Sequence, residues 1–236
     1  MDYETYVERL FEHLINGDRT GSQKVVQEVK DHGTSARDLI SSVFWPTYSL
    51  VDKLHREDHL SRVSYQLATR LLRVLQDRAA ADLPRESARP ETIFACCGPT
   101  DSDELGAQMA VDLIESAGYQ VTFAGGNIPA DEVLAQVHEN RPDFLLMFAS
   151  GPSDLPGIRH IIDSLREINA VPNLKVAVGG GVFNRAEGLA DEIGVHVYAE
   201  SPMDMVEVLA SGEAVAMAAE VDAHRRELSK RRRKVA

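Results

Sequence analysis

The sequence predicts an α+α/β protein: an N-terminal four-helix bundle followed by a five-stranded parallel α/β domain. Three observations carry that expectation. Apolar residues recur at helical spacing through residue 81. A polar stretch with two prolines, "DLPRESARPE" at residues 82–91, then interrupts the pattern. From residue 92 short β-rich runs alternate with helical segments, as a parallel sheet covered on both faces requires. The expected domains are the bundle at 1–81, a linker at 82–91, the α/β domain at 92–212, and a C-terminal helix with a basic tail at 213–236.

Leu10 and Leu14 mark the apolar face of the first helix, and Val25, Val26 and Val29 that of the second. Breaks fall at "INGDRTGS" and "DHGTSARD", where Gly33 suits a helix C-cap and Thr34 or Ser35 an N-cap. The third helix runs through "ARDLISSVFWPTYSLVDKLH". Pro46 is expected to bend it by removing a backbone donor. In the fourth, "HLSRVSYQLATRLLRVLQDRAA", Val63, Leu67, Leu71 and Leu75 are expected to share the buried face. Four helices with short links suit an antiparallel bundle.

Beyond the linker, "TIFACC", "YQVTFA", "DFLLMFAS", "LKVAVGG" and "VHVYA" read as strands, with helices beginning near Ser102, Ala130, Leu155 and Arg185. Ligands of such sheets sit outside the carboxyl ends of the strands, near the point where strand order reverses. Residues 97–106, 124–130, 149–156 and 179–185 are therefore the candidate site loops.

Composition bounds the function classes. A chain of 236 residues with 44% hydrophobic and 26% charged residues is ordinary for a soluble protein. No apolar run approaches the roughly 20 residues needed to cross a bilayer. The first residues carry acids where a signal peptide carries bases, so the expected location is cytoplasmic, without membrane contact. The net charge is −12, and it is uneven. Without the five bases of "KRRRK" at 230–234, 20 basic residues face 37 acidic ones. An acidic body argues against direct nucleic-acid binding, which rests on phosphate neutralisation.

Cys96 and Cys97 are the only cysteines. Adjacent Cα atoms stand about 3.8 Å apart, below the usual disulfide range. They read either as small residues closing a strand or as a reactive thiol that attaches a chromophore. No phosphate-binding or dinucleotide glycine fingerprint and no nucleophile elbow appears. His55 and His59 lie one turn apart and read as exposed bundle residues before they read as metal ligands. Neither a catalytic set nor a metal site is expected, and the chain is not expected to be an enzyme.

Together these pieces resemble one family over nearly the whole chain. A four-helix cap, a polar linker and a flavodoxin-like domain are similar to the cobalamin-binding modules of corrinoid methyl carriers and cobalamin-dependent photoreceptors. The run "ESAGYQVTFAGGNIPADEVLAQVHENRPDFLLMFAS" carries the closest likeness. Ser150-Gly151 and Gly179-Gly180 stand at the family's Ser-x-Leu and Gly-Gly signatures, which line the channel for the cofactor's nucleotide tail.

Two departures accompany the resemblance. The family's first loop reads Asp-x-His-x-x-Gly, with the imidazole under cobalt. Here that frame is Asp101-Ser102-Asp103-Glu104-Leu105-Gly106, and Asp103 replaces the histidine. A carboxylate is a harder ligand than the imidazole such centres take. In the cap, the photoreceptors' Trp, nine residues, then Glu-His becomes His55, nine residues, then Tyr65-Gln66. Trp45 lies ten residues earlier and reads as bundle core.

The resemblance implies cofactor contacts at Asp101, Ser102, Asp103 and Gly106 below, and at Ser150, Gly151, Gly179, Gly180 and Gly181 beside the tail. His55, Tyr65 and Gln66 are expected above it, with Cys97 or Cys96 as the point of attachment for a bilin. The cofactor is expected to be cobalamin or another tetrapyrrole, a bilin or a haem. The altered positions put first a photoreceptor-like sensor that signals through a protein partner. A ligand-free scaffold comes next, then a corrinoid methyl carrier of a methyltransferase system. The acidic body and terminal helix suit a homodimer.

Overall fold

The computed structural model describes residues 2–168 and 170–211, without the side chain of Asp101. The helix and tail expected at 213–236 lie outside the described residues. The chain divides into two compact units, the first ending at Glu86 and the second starting at Ser87.

The first unit is helical: α1 (Tyr3–Ile15), α2 (Arg19–Asp31), α3 (Ala36–Leu39), α4 (Trp45–Arg56) and α5 (Arg62–Ala80). A π-helical turn, Ile40–Phe44, joins α3 to α4, so the two form the one long third helix that the sequence predicts. Its placement has a cause. Pro46 lacks an N–H and would crowd the carbonyl of Ser42, and the wider turn before it absorbs that conflict; the Trp45 N–H donates to Ile40 O instead. Caps are local. Asp18 accepts from the Gly21 N–H, Ser35 from Asp38 and Ser61 from Ser64.

Leu10, Leu14, Val25, Val29, Leu39, Ile40, Val43, Phe44 and Leu72 are almost wholly buried and form this unit's core. The buried face of α5 differs from the expected one. Ala68, Leu72, Leu75 and Ala79 turn inward, whereas Val63 is 68% exposed and Leu67 40%. The two candidate faces overlap at Leu75. Close helix approach favours the face with alanines, which lets neighbouring backbones come near.

The second unit holds a five-stranded parallel sheet: β1 (Thr92–Cys97), β2 (Gln120–Gly126), β3 (Phe144–Phe148), β4 (Lys175–Gly179) and β5 (Val197–Ala199). Strand order is β2-β1-β3-β4-β5, so direction reverses between β1 and β3. The helices are α6 (Asp101–Ser116), α7 (Ala130–Asn140), α8 (Leu155–Ile168), α9 (Gly181–Arg185), α10 (Leu189–Ile193) and α11 (Pro202–Ser211). α6 packs with α11, and α7 with α8. Burial along β1, β3 and β4 is continuous, as a sheet covered on both faces demands. Phe94, Cys96, Leu145, Met147, Val176 and Val178 join Val133 and Val137 of α7 and Ile158, Ile161 and Ile162 of α8 in one core. Among the described residues no helix is long and apolar enough to cross a membrane.

Candidate functional site

The order reversal places a recess between the carboxyl ends of β1 and β3. A cavity of about 330 Å³ opens there, lined by Cys96 and Cys97 from β1 and by Met147 and Phe148 from β3. Asn127 and Asp154 add polar groups at its wall. Asn127 holds φ 58°, a left-handed conformation that asparagine tolerates, and it turns the chain from β2 into α7.

Two aspartates brace the loops above this recess. Asp103 stands at the third position of α6 and closes a capping box. Its Oδ2 accepts from the Thr100 N–H at 3.0 Å and from Thr100 Oγ1 at 2.6 Å, while the Asp103 N–H donates to Thr100 Oγ1 at 3.1 Å. Only 7% of Asp103 is exposed. Asp154 does the same for the next loop: its Oδ2 accepts from the N–H groups of Ser150 and Gly151 at 3.3 and 3.2 Å. Both carboxylates close on Gly98, where a Cβ would meet Asp103 Oδ2 at 2.8 Å and Asp154 Oδ2 at 3.1 Å. A side chain there would push at least one brace aside.

The glycine loop after β4 is tied to the end of β3. Ala149 N–H donates to Gly179 O at 3.0 Å and Val182 N–H to Ala149 O at 3.3 Å. Gly180 has φ 106°, and a Cβ on it would collide with the Ala149 backbone, so glycine is required there by backbone approach. Arg185 donates from Nη2 to Ser150 O, and so joins the two loops.

Of the residues expected to touch a cofactor, Cys97 lines the cavity. Ser102, Asp103 and Gly106 are buried in the first turns of α6, and Gly179 at the end of β4; Ser150, Gly151, Gly180 and Gly181 are half-buried. Asp103 is engaged with Thr100, as a helix-capping group rather than one aimed outward. Cys96 is buried, which pushes its thiol up to about 12, while Cys97 is half-buried.

In the helical unit, His55 stacks on Tyr65 with ring centroids 3.9 Å apart and an interplanar angle of 21°. Its Nδ1 lies 3.3 Å from Leu60 O, a carbonyl that can only accept, so Nδ1 is the donor. Gln66 is exposed. His59 is 68% exposed at its side chain and faces Glu57 at 3.6 Å. Trp45 is half-buried, with its ring 5.4 Å from that of Tyr48. No group of three or more His, Cys, Asp or Glu among the described residues is placed to hold a metal ion.

Asn127, Asp154 and Arg185 lie within the candidate loops, but the sequence assigned none of them a role. The capping box had a legible signal, Thr100-x-x-Asp103 ahead of an apolar run. Arg185 had none, because its partner Ser150 follows another strand; Asp154 accepts from Ser150 and Gly151 of its own loop.

A family model described as the B12 binding domain matches residues 91–207. Dimethylamine corrinoid protein 1 of Methanosarcina acetivorans is 29% identical over 126 residues, 52% of this chain and 58% of its own length. This chain thus spans little more than half of that relative. A corrinoid protein of Desulfitobacterium hafniense is 23% identical over 206 residues, covering 86% of this chain and 94% of its own. Among solved structures, the monomethylamine corrinoid protein of Methanosarcina barkeri superposes with a TM-score of 0.77 at 15% identity, over 87% of this chain and 97% of that one. That likeness establishes the fold: a helical unit followed by a five-stranded Rossmann-like domain.

Proposed function

We propose, from the premise that this chain belongs through residues 91–207 to the B12 binding domain family, that it is a corrinoid-binding methyl carrier serving a separate methyltransferase. The similarity to dimethylamine corrinoid proteins carries this reading. A bound corrinoid supplies a cobalt centre that accepts and releases a methyl group. The chain's own part is to hold the macrocycle at the carboxyl ends of the strands and to keep solvent from it.

The residues fit a corrinoid that has no protein imidazole beneath it. At the family's histidine position Asp103 is committed to Thr100, and as a hard anionic donor it suits neither the geometry nor the softness of the centre. The loop at 101–106 would hold the corrinoid without offering it an imidazole. Ser102, Gly106, Ser150, Gly151 and Gly179 to Gly181 are assigned to the tail and ring edge, through loops held by Asp154 and Arg185. The cavity of about 330 Å³ is too small for the macrocycle and large enough for part of its tail.

A sensor, ranked first on sequence grounds, has less support than the carrier. The relatives described above are named as corrinoid proteins, which favours cobalamin over a bilin or a haem and transfer over light sensing. A ligand-free scaffold is opposed by the open recess at the order reversal.

The test is reconstitution of the full chain with hydroxocobalamin followed by gel filtration. The protein is expected to elute coloured, with a spectrum of the base-on form. At 100 times the dissociation constant, its unfolding free energy should rise by about 2.7 kcal/mol. Colourless protein with unchanged stability sinks the reading.

A further inference from the structure

We infer that the outer face of α1 and α5 is an interface between two copies of this chain. Four large apolar side chains stand out as exposed among the described residues, and three lie on α5: Val63 (68%), Leu67 (40%) and Val74 (36%). Offsets of four and seven residues put them on one side of the helix, away from buried Ala68, Leu72 and Ala79. This is a stripe, not scattered exposure.

Charge identifies the occupant. Arg70 and Arg78 border the stripe, and both are exposed and unpaired among the described residues. With Arg62 and Arg73 they give α5 four arginines against one aspartate, in a chain whose net charge is −12. The complementary surface lies next to it. On α1, Glu4, Glu8 and Glu12 are exposed at successive turns and unpaired among the described residues. Like charges four residues apart repel along a helix. Glu4 to Glu12 and Arg70 to Arg78 are each eight residues, about 12 Å at 1.5 Å per residue.

α1 and α5 pack against each other, and Leu67 methyls lie 3.4 Å from where a Cβ on Gly17 would stand, just past the end of α1. The acidic and the basic-apolar stripes thus lie on two packed helices of one unit. A two-fold axis lets α1 of each copy meet α5 of the other, so both stripes are satisfied twice. Two helices per copy give an interface at the small end of the stable range, and the dimer is correspondingly concentration-dependent.

The test is sedimentation velocity of the full chain over a concentration series. The wild type is expected to show a monomer–dimer equilibrium that weakens with salt. Leu67→Glu, the pair R70E/R78E, and the triple E4K/E8K/E12K are each expected to raise the dissociation constant at least tenfold, about 1.4 kcal/mol, with helical content unchanged. Mixing the arginine pair with the glutamate triple should restore the dimer, because each altered stripe then meets its opposite. A wild type that stays monomeric at every concentration overturns the inference, as does a mixture that fails to recombine. If another protein or a ligand covers this face, the wild type gives the monomeric result.

Discussion

At the scale of single residues, two groups that look chemical prove to be architectural. Asp103 stands where the sequence resemblance leads one to expect a cobalt ligand, yet its carboxylate is spent on the Thr100 N–H and hydroxyl. Thr100→Ala and Asp103→Ala should each cost about 1 kcal/mol in denaturant unfolding, the usual worth of such a cap. The visible spectrum of bound cobalamin should stay unchanged in Asp103→Ala, whereas a ligand role would shift it. Cys96 makes the second case. Burial raises its thiol from 9.0 to about 12 in the folded chain. The unfolded chain therefore loses this proton first as pH climbs, so the stability contribution of the neutral thiol is complete below about pH 9 and falls away between about 9 and 12. Alkylation near pH 8 should modify Cys97, which is half-buried, and spare Cys96, which is buried; peptide mapping reads the difference.

At the scale of elements, α5 teaches most. Val63, Leu67, Leu71 and Leu75 make an obvious apolar row, but the helix buries Ala68, Leu72, Leu75 and Ala79 instead. A count of large apolar residues cannot see that alanine marks the side where another helix comes closest. Leu72→Ala should cost about 2–5 kcal/mol through the cavity it leaves. Val63→Ala should change stability by no more than about 0.5 kcal/mol. Thermal or denaturant unfolding of both variants tests the assignment of faces. The third helix shows the opposite situation: Pro46 announces a disturbance in the sequence, and the π-helical turn at Ile40–Phe44 is its local consequence.

At the scale of the whole molecule, the division into two units follows from how the connecting residues are held. Asp82 and Glu86 pair with Lys30 and Arg37 of the helical unit, at 2.7 and 2.9 Å. Arg89 belongs to the other unit. Its Nε donates to Ala117 O at 3.0 Å and its guanidinium lies 4.9 Å over the Tyr119 ring. Arg85 is exposed. Limited trypsin digestion should therefore cut after Arg85, with the site read by mass spectrometry; the Arg89–Pro90 bond resists trypsin in any case. The sequence by itself determined the helical unit, the alternating strands and helices, and the family that residues 91–207 match. Periodicity is a property of one element burying one side, so it is written locally. The tertiary structure alone decided that Arg185 ties its loop to Ser150 O, and which side of α5 is left to solvent. Those outcomes depend on partners delivered by other strands and helices, and spacing along the chain does not encode where those partners arrive.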